Sequence, residues 1–368
     1  MKLKNQLSCF FAVSALILPQ IIHAQSDYGD QTRKMIATVT TQLGVGLQTL
    51  KQMQDAPPKA TFGKDKAYYQ GKMEGILQQV SQALNVSDIN VLNSQIKDLN
   101  SKISIEEGKI AALREQAAFG GKNTDDEIAK EEKKIDAYSN QIGTIKDKFR
   151  EDLAKIGIDL DDDQLDSLLA SVIADDFISM SIVFNNIGIV TGKLGELMKN
   201  GNEDLSYAKK YYGMYALLLQ TLDAIQTDFI NKIENRYIPA VNRIKRDANL
   251  NITEAREGIT SKRGDEQILA RNIDSNQTTI KAADLYLKQL NQQRNSIKIR
   301  NQQIKKNLYA AQNTLKTVDT SFQMWGMMKK SITEFDQVAK LAPPQFIVFD
   351  NTQVKDAFEK MTVAIKTN

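Results

Sequence analysis

Between Ile89 and Ile156 apolar residues recur at steps of three and four, in two runs separated by one glycine-rich turn. Ile89, Leu92, Ile96, Leu99, Ile103, Ile110 and Leu113 form the first run, with Glu106 in one seam position. Ile128, Ile135, Tyr138, Ile142, Ile145, Phe149 and Ile156 form the second. Gly120-Gly121-Lys122-Asn123 lies between them, and Thr124-x-x-Glu127 has the spacing of a capping box. A strand alternates with a period of two, so this spacing belongs to helices. Two matched stripes around a short turn predict an antiparallel coiled-coil hairpin. Each arm has about 32 residues, or roughly 48 Å at 1.5 Å per residue.

The same period runs through most of the chain. Met35, Val39, Leu43, Leu47, Leu50 and Met53 mark a first helix that stops before Pro57-Pro58. Tyr69, Met73, Ile76, Val80 and Leu84 mark a second, and Asn85-Val86-Ser87-Asp88 carries a capping signal for the next. Further on, Leu205, Tyr212, Tyr215, Leu219, Leu222, Phe229 and Ile233 form a stripe in which Tyr207, Tyr211, Tyr212 and Tyr215 cluster. Packing in a core accounts for these phenols more simply than a binding surface does. Pro239 is expected to kink this helix or to end it with a restart beyond.

After a turn near Ser261-Lys262-Arg263-Gly264-Asp265 comes the longest ladder, from Leu269 through Ile297 and Ile304 to Trp325. Asn276, Arg294 and Asn301 occupy seam positions there, where polar residues fix register and partner. One helix from Asp265 to about Lys340 would be roughly 114 Å long. Pro343-Pro344 stops it, and Phe346-Ile347-Val348-Phe349 reads as a short extended segment before a last helix bearing Val354, Phe358, Met361 and Ile365.

The expected fold is therefore all-α: an elongated antiparallel helical bundle with long coiled-coil hairpins and a short extended segment near the C-terminus. Its divisions are a signal peptide (1–24), N-terminal helices of the bundle (25–87) and the antiparallel hairpin (88–157). A central apolar helix (158–200), a long helical hairpin (201–342) and a C-terminal extended segment with its helix (343–368) follow.

The central stretch, Leu165 to Leu197, is more apolar than any other part of the chain beyond the N-terminal leader. Asp159, Asp161, Asp162 and Asp163 precede it, placed to cap a helix N-terminus and to meet the positive end of its dipole. Asp175, Asp176, Asn185 and Asn186 interrupt it. A spanning helix needs about 20 mostly apolar residues without charges, and this segment carries two adjacent asparagines and Lys193. A buried bundle helix is the expectation. Phe177, Met180, Val183, Phe184, Ile187, Gly188 and Gly192 are the candidate membrane or partner contacts, the two glycines forming a G-x-x-x-G.

Lys2 and Lys4, the apolar run Leu7 to Leu18, and Ile22-His23-Ala24 compose a secretory signal with a cleavage site before Gln25. The only cysteine, Cys9, and the only histidine, His23, lie within it. The processed chain would hold neither, which excludes disulfides, thiol nucleophiles, Cys/His zinc sites and imidazole bases. An exported chain of this kind is stabilised by helix packing alone. Removing Lys2 and Lys4 leaves 46 basic against 45 acidic residues. That balance, with no arginine block, predicts no nucleic-acid binding and no general affinity for anionic membranes.

Individual motifs argue the same way. Asp159-x-Asp161-x-Asp163 starts like a calcium loop, but Gln164 and Ala170 stand where glycine and glutamate are needed. Gly188 to Lys193 falls one residue short of a phosphate-binding loop, and Leu194 replaces its hydroxyl residue. Arg263-Gly264-Asp265 at a hairpin tip reads as a charged turn. Asp175 and Asp176 are adjacent, so on a helix they point about 100° apart and cannot form a catalytic carboxylate pair alone.

These observations point to a non-enzymatic exported scaffold or protein-interaction module in the periplasm or outside the cell. It would have no cofactor, no metal and no evident small-molecule substrate; its partners would be proteins or further copies of itself. The layout also resembles the general plan of the cytolysin A and haemolysin BL group of α-helical pore-forming toxins, with long helices around one apolar segment in the middle of the chain. The resemblance covers architecture, and the first hairpin is short beside the very long arms of that group. It implies a subunit whose Leu165–Leu197 segment is stowed in the soluble form and enters the membrane on assembly.

Overall fold

A computed structural model describes residues 29–119, 124–200, 205–317 and 352–367. The expected signal peptide, the glycine turn at 120–123, the end of the long ladder beyond 317 and the extended segment before the last helix lie outside the described residues. Within them the protein is a helical bundle without strands.

Helices α1 (Asp30–Asp55) and α2 (Lys66–Leu84) form a first pair. Helices α3 (Asp88–Ala118) and α4 (Asp125–Lys155) form an arm. Each has 31 residues, about 46 Å. Their antiparallel register is visible in Arg114–Glu132 at 3.3 Å and Lys134–Glu106 at 3.8 Å. Glu106 is buried in the seam, where Lys109 also reaches it at 2.7 Å. The Thr124-x-x-Glu127 capping box does not form. Thr124 is buried, and its hydroxyl turns back to the Leu113 carbonyl of α3, so a contact across the hairpin replaces the local one.

The central apolar stretch is two helices, α5 (Asp162–Ala170) and α6 (Ala174–Asn200), and not one. Asp161 caps α5 with a complete capping box: its carboxylate accepts from the Gln164 N–H, and the Gln164 side chain accepts from the Asp161 N–H. Helix α7 (Leu205–Lys232) follows α6 and packs on it, on α1 and on α9. The α1–α7 crossing is close because two glycines allow it. A Cβ on Gly46 would stand 2.8 Å from Leu217, and one on Gly213 would stand 2.6 Å from Leu47.

Pro239 does not stop the long helix. One π-helical turn, Ile233–Tyr237, widens the backbone just ahead of it, and α8 (Ile238–Thr260) runs on without a break. Proline removes one N–H and pushes away the carbonyl four residues back; the wider turn accommodates both effects. Helix α9 (Glu266–Thr317) then returns antiparallel along α8 and α7. Its 52 residues make about 78 Å, longer than a compact domain is wide. Helix α10 (Thr352–Thr367) packs mainly on α9 and also touches α8 and α5. The core runs through α6 and α7, where Ile187, Val190, Leu194, Leu218, Leu219 and Leu222 are fully buried.

Candidate functional site at the head of the apolar helix

The break between α5 and α6 leaves backbone groups that the helix ladder cannot satisfy. Two distant elements supply partners. The Val172 N–H donates to the Tyr286 hydroxyl of α9 at 2.9 Å, and the Thr362 hydroxyl of α10 donates to the Ala170 carbonyl at 2.6 Å. Tyr286 and Thr362 also hydrogen-bond to each other. The Tyr286 ring stacks on Phe358, with centroids 3.6 Å apart and planes 9° from parallel. Burial pushes the Tyr286 phenol far above its ordinary range.

Just past the break, Asp175 and Asp176 diverge as adjacent helical residues must. Asp175 accepts from Asn93 at 3.0 Å and from Lys97, both on α3, while Lys366 of α10 stands 3.7 Å away. Asp176 accepts from Lys232 at 2.8 Å and from the Tyr237 hydroxyl at 2.6 Å, both at the end of α7 and the π turn. Burial pushes the Asp175 carboxyl up, but Lys97, Asn93 and Lys366 outweigh it and hold it below the usual carboxylate range. Burial would lower the Lys232 ammonium, but Asp176 and Asp228 raise it. Burial and the neighbouring Asp176 raise the Tyr237 phenol. Asp175, Lys232 and Tyr237 are thus all shifted away from neutral pH.

The α5 side of the break repeats the pattern. Asp166 pairs with Lys146 of α4 at 2.6 Å and with Lys355 of α10 at 3.6 Å, and Asp162 pairs with Arg150 of α4. Asn186, buried on α6, donates to the carbonyls of Leu84 at 2.7 Å and Val86 at 3.2 Å. That bond fixes the strand of chain entering the arm. The junction thus ties the root of the arm, the last helix and both long hairpins to one short length of chain. Chemically it is a set of paired charges, suited to holding elements in position.

Phe177, Met180, Val183, Phe184 and Ile187 are all buried, at 3% exposure or less. They belong to the core of this conformation and not to a free surface. Gly188 and Gly192 lie outside that packing: a Cβ at either would meet nothing within 4 Å. Asn276, Arg294 and Asn301 all lie on the side of α9 that faces α7 and α8. Asn276 accepts from Asn251 at 3.3 Å, Arg294 stands 3.7 Å from Glu234, and Asn301 donates to Asp223 at 2.7 Å. Tyr212 and Tyr215 are core residues, whereas Tyr207 is 49% exposed. At the α8–α9 tip, Asp265 is occupied as the cap of α9, accepting from the Ile268 N–H at 2.9 Å.

A groove of about 340 Å³ between α2, α6 and α7 is lined by Glu74, Asp176, Asp228 and Lys232 beside Met180 and Phe229. Among the described residues no group of His, Cys, Asp and Glu is placed to hold a metal ion. Sequence reasoning found Asp175 and Asp176 but missed Asn93, Lys97, Tyr237, Tyr286 and Thr362, which give them and the break their partners. These residues are separated by 61 to 192 positions from the groups they bind or by 78 to 114, so no local spacing announces them. No family model matches the chain, and neither does any curated protein or solved structure.

Proposed function

We propose that this chain is an exported, non-enzymatic helical protein that works as a scaffold or protein-interaction module in the periplasm or outside the cell. The observation that carries the reading is the arm. Helices α3 and α4 pack chiefly on each other, and the described polar contacts to the rest of the molecule gather at the root. The outer faces along its length are exposed, as a lever or a docking post requires. The N-terminal leader supports export, and heptad spacing supports pairing with other helices.

A second reading is a subunit of an α-helical pore-forming toxin. One observation favours it: Ala174–Met198 is long and apolar enough to cross a membrane, although 67% of its most apolar 18-residue stretch is buried here, as in the core helix of a soluble bundle. Flotation of the chain from Gln25 with liposomes separates the two. For the scaffold reading, the protein stays in solution and Leu165–Leu197 gains no protease protection. Flotation with that segment shielded, and its loss on Val183→Asn, would replace the scaffold reading with the pore-forming one.

A further inference from the structure

Two hairpins leave the body at one end. Along α6, Asn186 binds the carbonyls of Leu84 and Val86, and Asp175 binds Asn93 and Lys97, so α3 runs past the head of α6. Ala118, at the end of α3, lies about 32 Å beyond Lys97. Asp176 binds Lys232 and Tyr237 where α7 gives way to α8, so α8 runs past the same head. Thr260, at the end of α8, lies about 35 Å beyond Tyr237. Helix α7 packs on α1, α2, α6 and α9, whereas α8 packs chiefly on α9 and also touches α10. The α8–α9 hairpin is therefore a second arm of similar reach to the first, and the two share no extensive contact among the described elements.

The root of this second arm is weak in two places at one level. On one helix, the Ile238 N–H closes the wide turn on the Ile233 carbonyl. The next ring of that pattern would need an N–H from Pro239, which has none. Wide turns of this kind and prolines are where long helices bend. On the other helix, Gln289 lies between Asp284, which pairs with Lys245, and Arg294, which stands 3.7 Å from Glu234. That register sets Gln289 opposite Pro239. Gln289 is fully buried, and neither its amide oxygen nor its amide nitrogen has a hydrogen-bond partner among the described residues. Opening the seam to solvent satisfies both atoms. Polar contacts to the heads of α5 and α6 oppose that opening. Tyr237 binds Asp176, Lys355 pairs with Asp166, and Lys366 pairs with Asp175, beside the bonds of Tyr286 and Thr362 to the break. Helix α10, which supplies both lysines, packs chiefly on α9 and so belongs to the second arm.

We propose that α8, α10 and the half of α9 beside them swing as one arm about the π turn, and that the ties to Asp176, Asp166 and Asp175 hold this arm closed at the root of the first. Two discrete arrangements follow. In the closed one the ion pairs and hydrogen bonds are made, and Gln289 is left unsatisfied in the seam. In the open one the ties are lost, Gln289 is hydrated, and the space between the two arms widens. A partner that fits between the arms draws the equilibrium towards the open form by as much as it prefers that form. The device lies in the fold and holds whether the protein works as a scaffold or in a membrane.

The only cysteine, Cys9, lies in the leader, so the chain from Gln25 takes nitroxide labels at introduced cysteines without background. The test is double electron–electron resonance between Glu115→Cys on the first arm and Arg256→Cys on the second, both exposed positions. The parent should show one dominant distance. Tyr237→Phe/Lys355→Ala/Lys366→Ala should raise a second, longer distance from under about a tenth to at least about a third of the population. Adding Gln289→Leu, which needs no partner in the seam, should return the distribution towards that of the parent. A control pair within the second arm, Gln267→Cys with Lys281→Cys about 21 Å apart along α9, should stay constant throughout. A melting curve shared with the parent shows that each variant folds. If the triple variant does not share it, Lys355→Ala/Lys366→Ala, at half-exposed positions, carries the same expectation. An unchanged distance between the arms in the folded variant overturns the proposal. So does a longer distance that Gln289→Leu leaves in place, which sets the bend elsewhere. A control pair that lengthens also overturns it, because the hairpin then unravels instead of swinging.

Discussion

The arm and the α6–α7 hairpin are both pairs of consecutive helices of similar length, and they are built on opposite terms. In α6 and α7 the apolar residues surround the helix, and neighbours on several sides bury them. In α3 and α4 a single stripe is apolar, the outer faces are charged, and Ile105 and Val91 are 56% and 55% exposed. Helices of the first kind are stabilised by their surroundings, and those of the second by each other. The difference shows what the junction does: it fastens a largely self-contained arm to a body that cannot exist without its core.

The largest effect that would break this contrast is a core truncation. Ile187→Ala on α6 removes a side chain with no exposure and should cost about 2–5 kcal/mol. Ile105→Ala on the arm should stay within about 0.5 kcal/mol. Chemical denaturation measures both. Equal costs would mean that the arm's outer face is covered in solution.

Next comes the attachment of one region to the other. Asn186→Ala leaves the Leu84 carbonyl, and partly that of Val86, without the buried donor that α6 provides. An unsatisfied buried acceptor costs about 1–3 kcal/mol. Hydrogen exchange should therefore quicken at the head of α3 while the middle of α6 keeps its protection. Faster exchange throughout α6 instead would show that arm and body open as one unit.

How far the sequence disclosed the contrast depends on range. Stripes of period 3.6 located most helices and the hairpin turns, because that signal is local. Asp161 and Ser87 were legible as caps for the same reason, whereas Asp265, read only as part of a charged turn, caps α9. The break at Ser171–Ile173 was not: apolar spacing continues across it, and its partners Tyr286 and Thr362 come from far along the chain. Glycines misled in the same way. The conspicuous pair, Gly188 and Gly192, is open, whereas Gly46 and Gly213, which no motif marks, lie at the tight crossing. Gly192→Ala should raise stability by up to about 1 kcal/mol through helix propensity. That is a rise of roughly 2 °C or a little more in melting temperature. Gly213→Ala should lose that gain, because the new Cβ must displace Leu47 at 2.6 Å. Equal rises would show that the α1–α7 crossing gives way freely.

The smallest expected effect separates the two sides of the junction by pH. Asp175 is held below its ordinary range by Lys97, Asn93 and Lys366. A carboxyl with a depressed folded-state pKa contributes stability that is present above about pH 3.9 and is lost as pH falls through the folded value. Glu359 of α10 is shifted the other way, raised by burial and by Asp356 and Asp166, with Lys355 and Lys146 opposing. Its folded form holds the proton more tightly than the unfolded chain does. The packing of α10 should therefore strengthen as pH falls through the raised value towards about 4.5. Acidification should tighten α10 first and loosen the arm root only below about pH 4, each by less than about 1 kcal/mol at these half-exposed sites. Hydrogen exchange corrected for its intrinsic pH dependence, read separately at 352–367 and at 88–97, resolves the order. Glu359→Gln should remove the first change and leave the second. If both segments move together, the paired aspartates couple α10 to the arm too strongly for the junction to be read as separate fastenings.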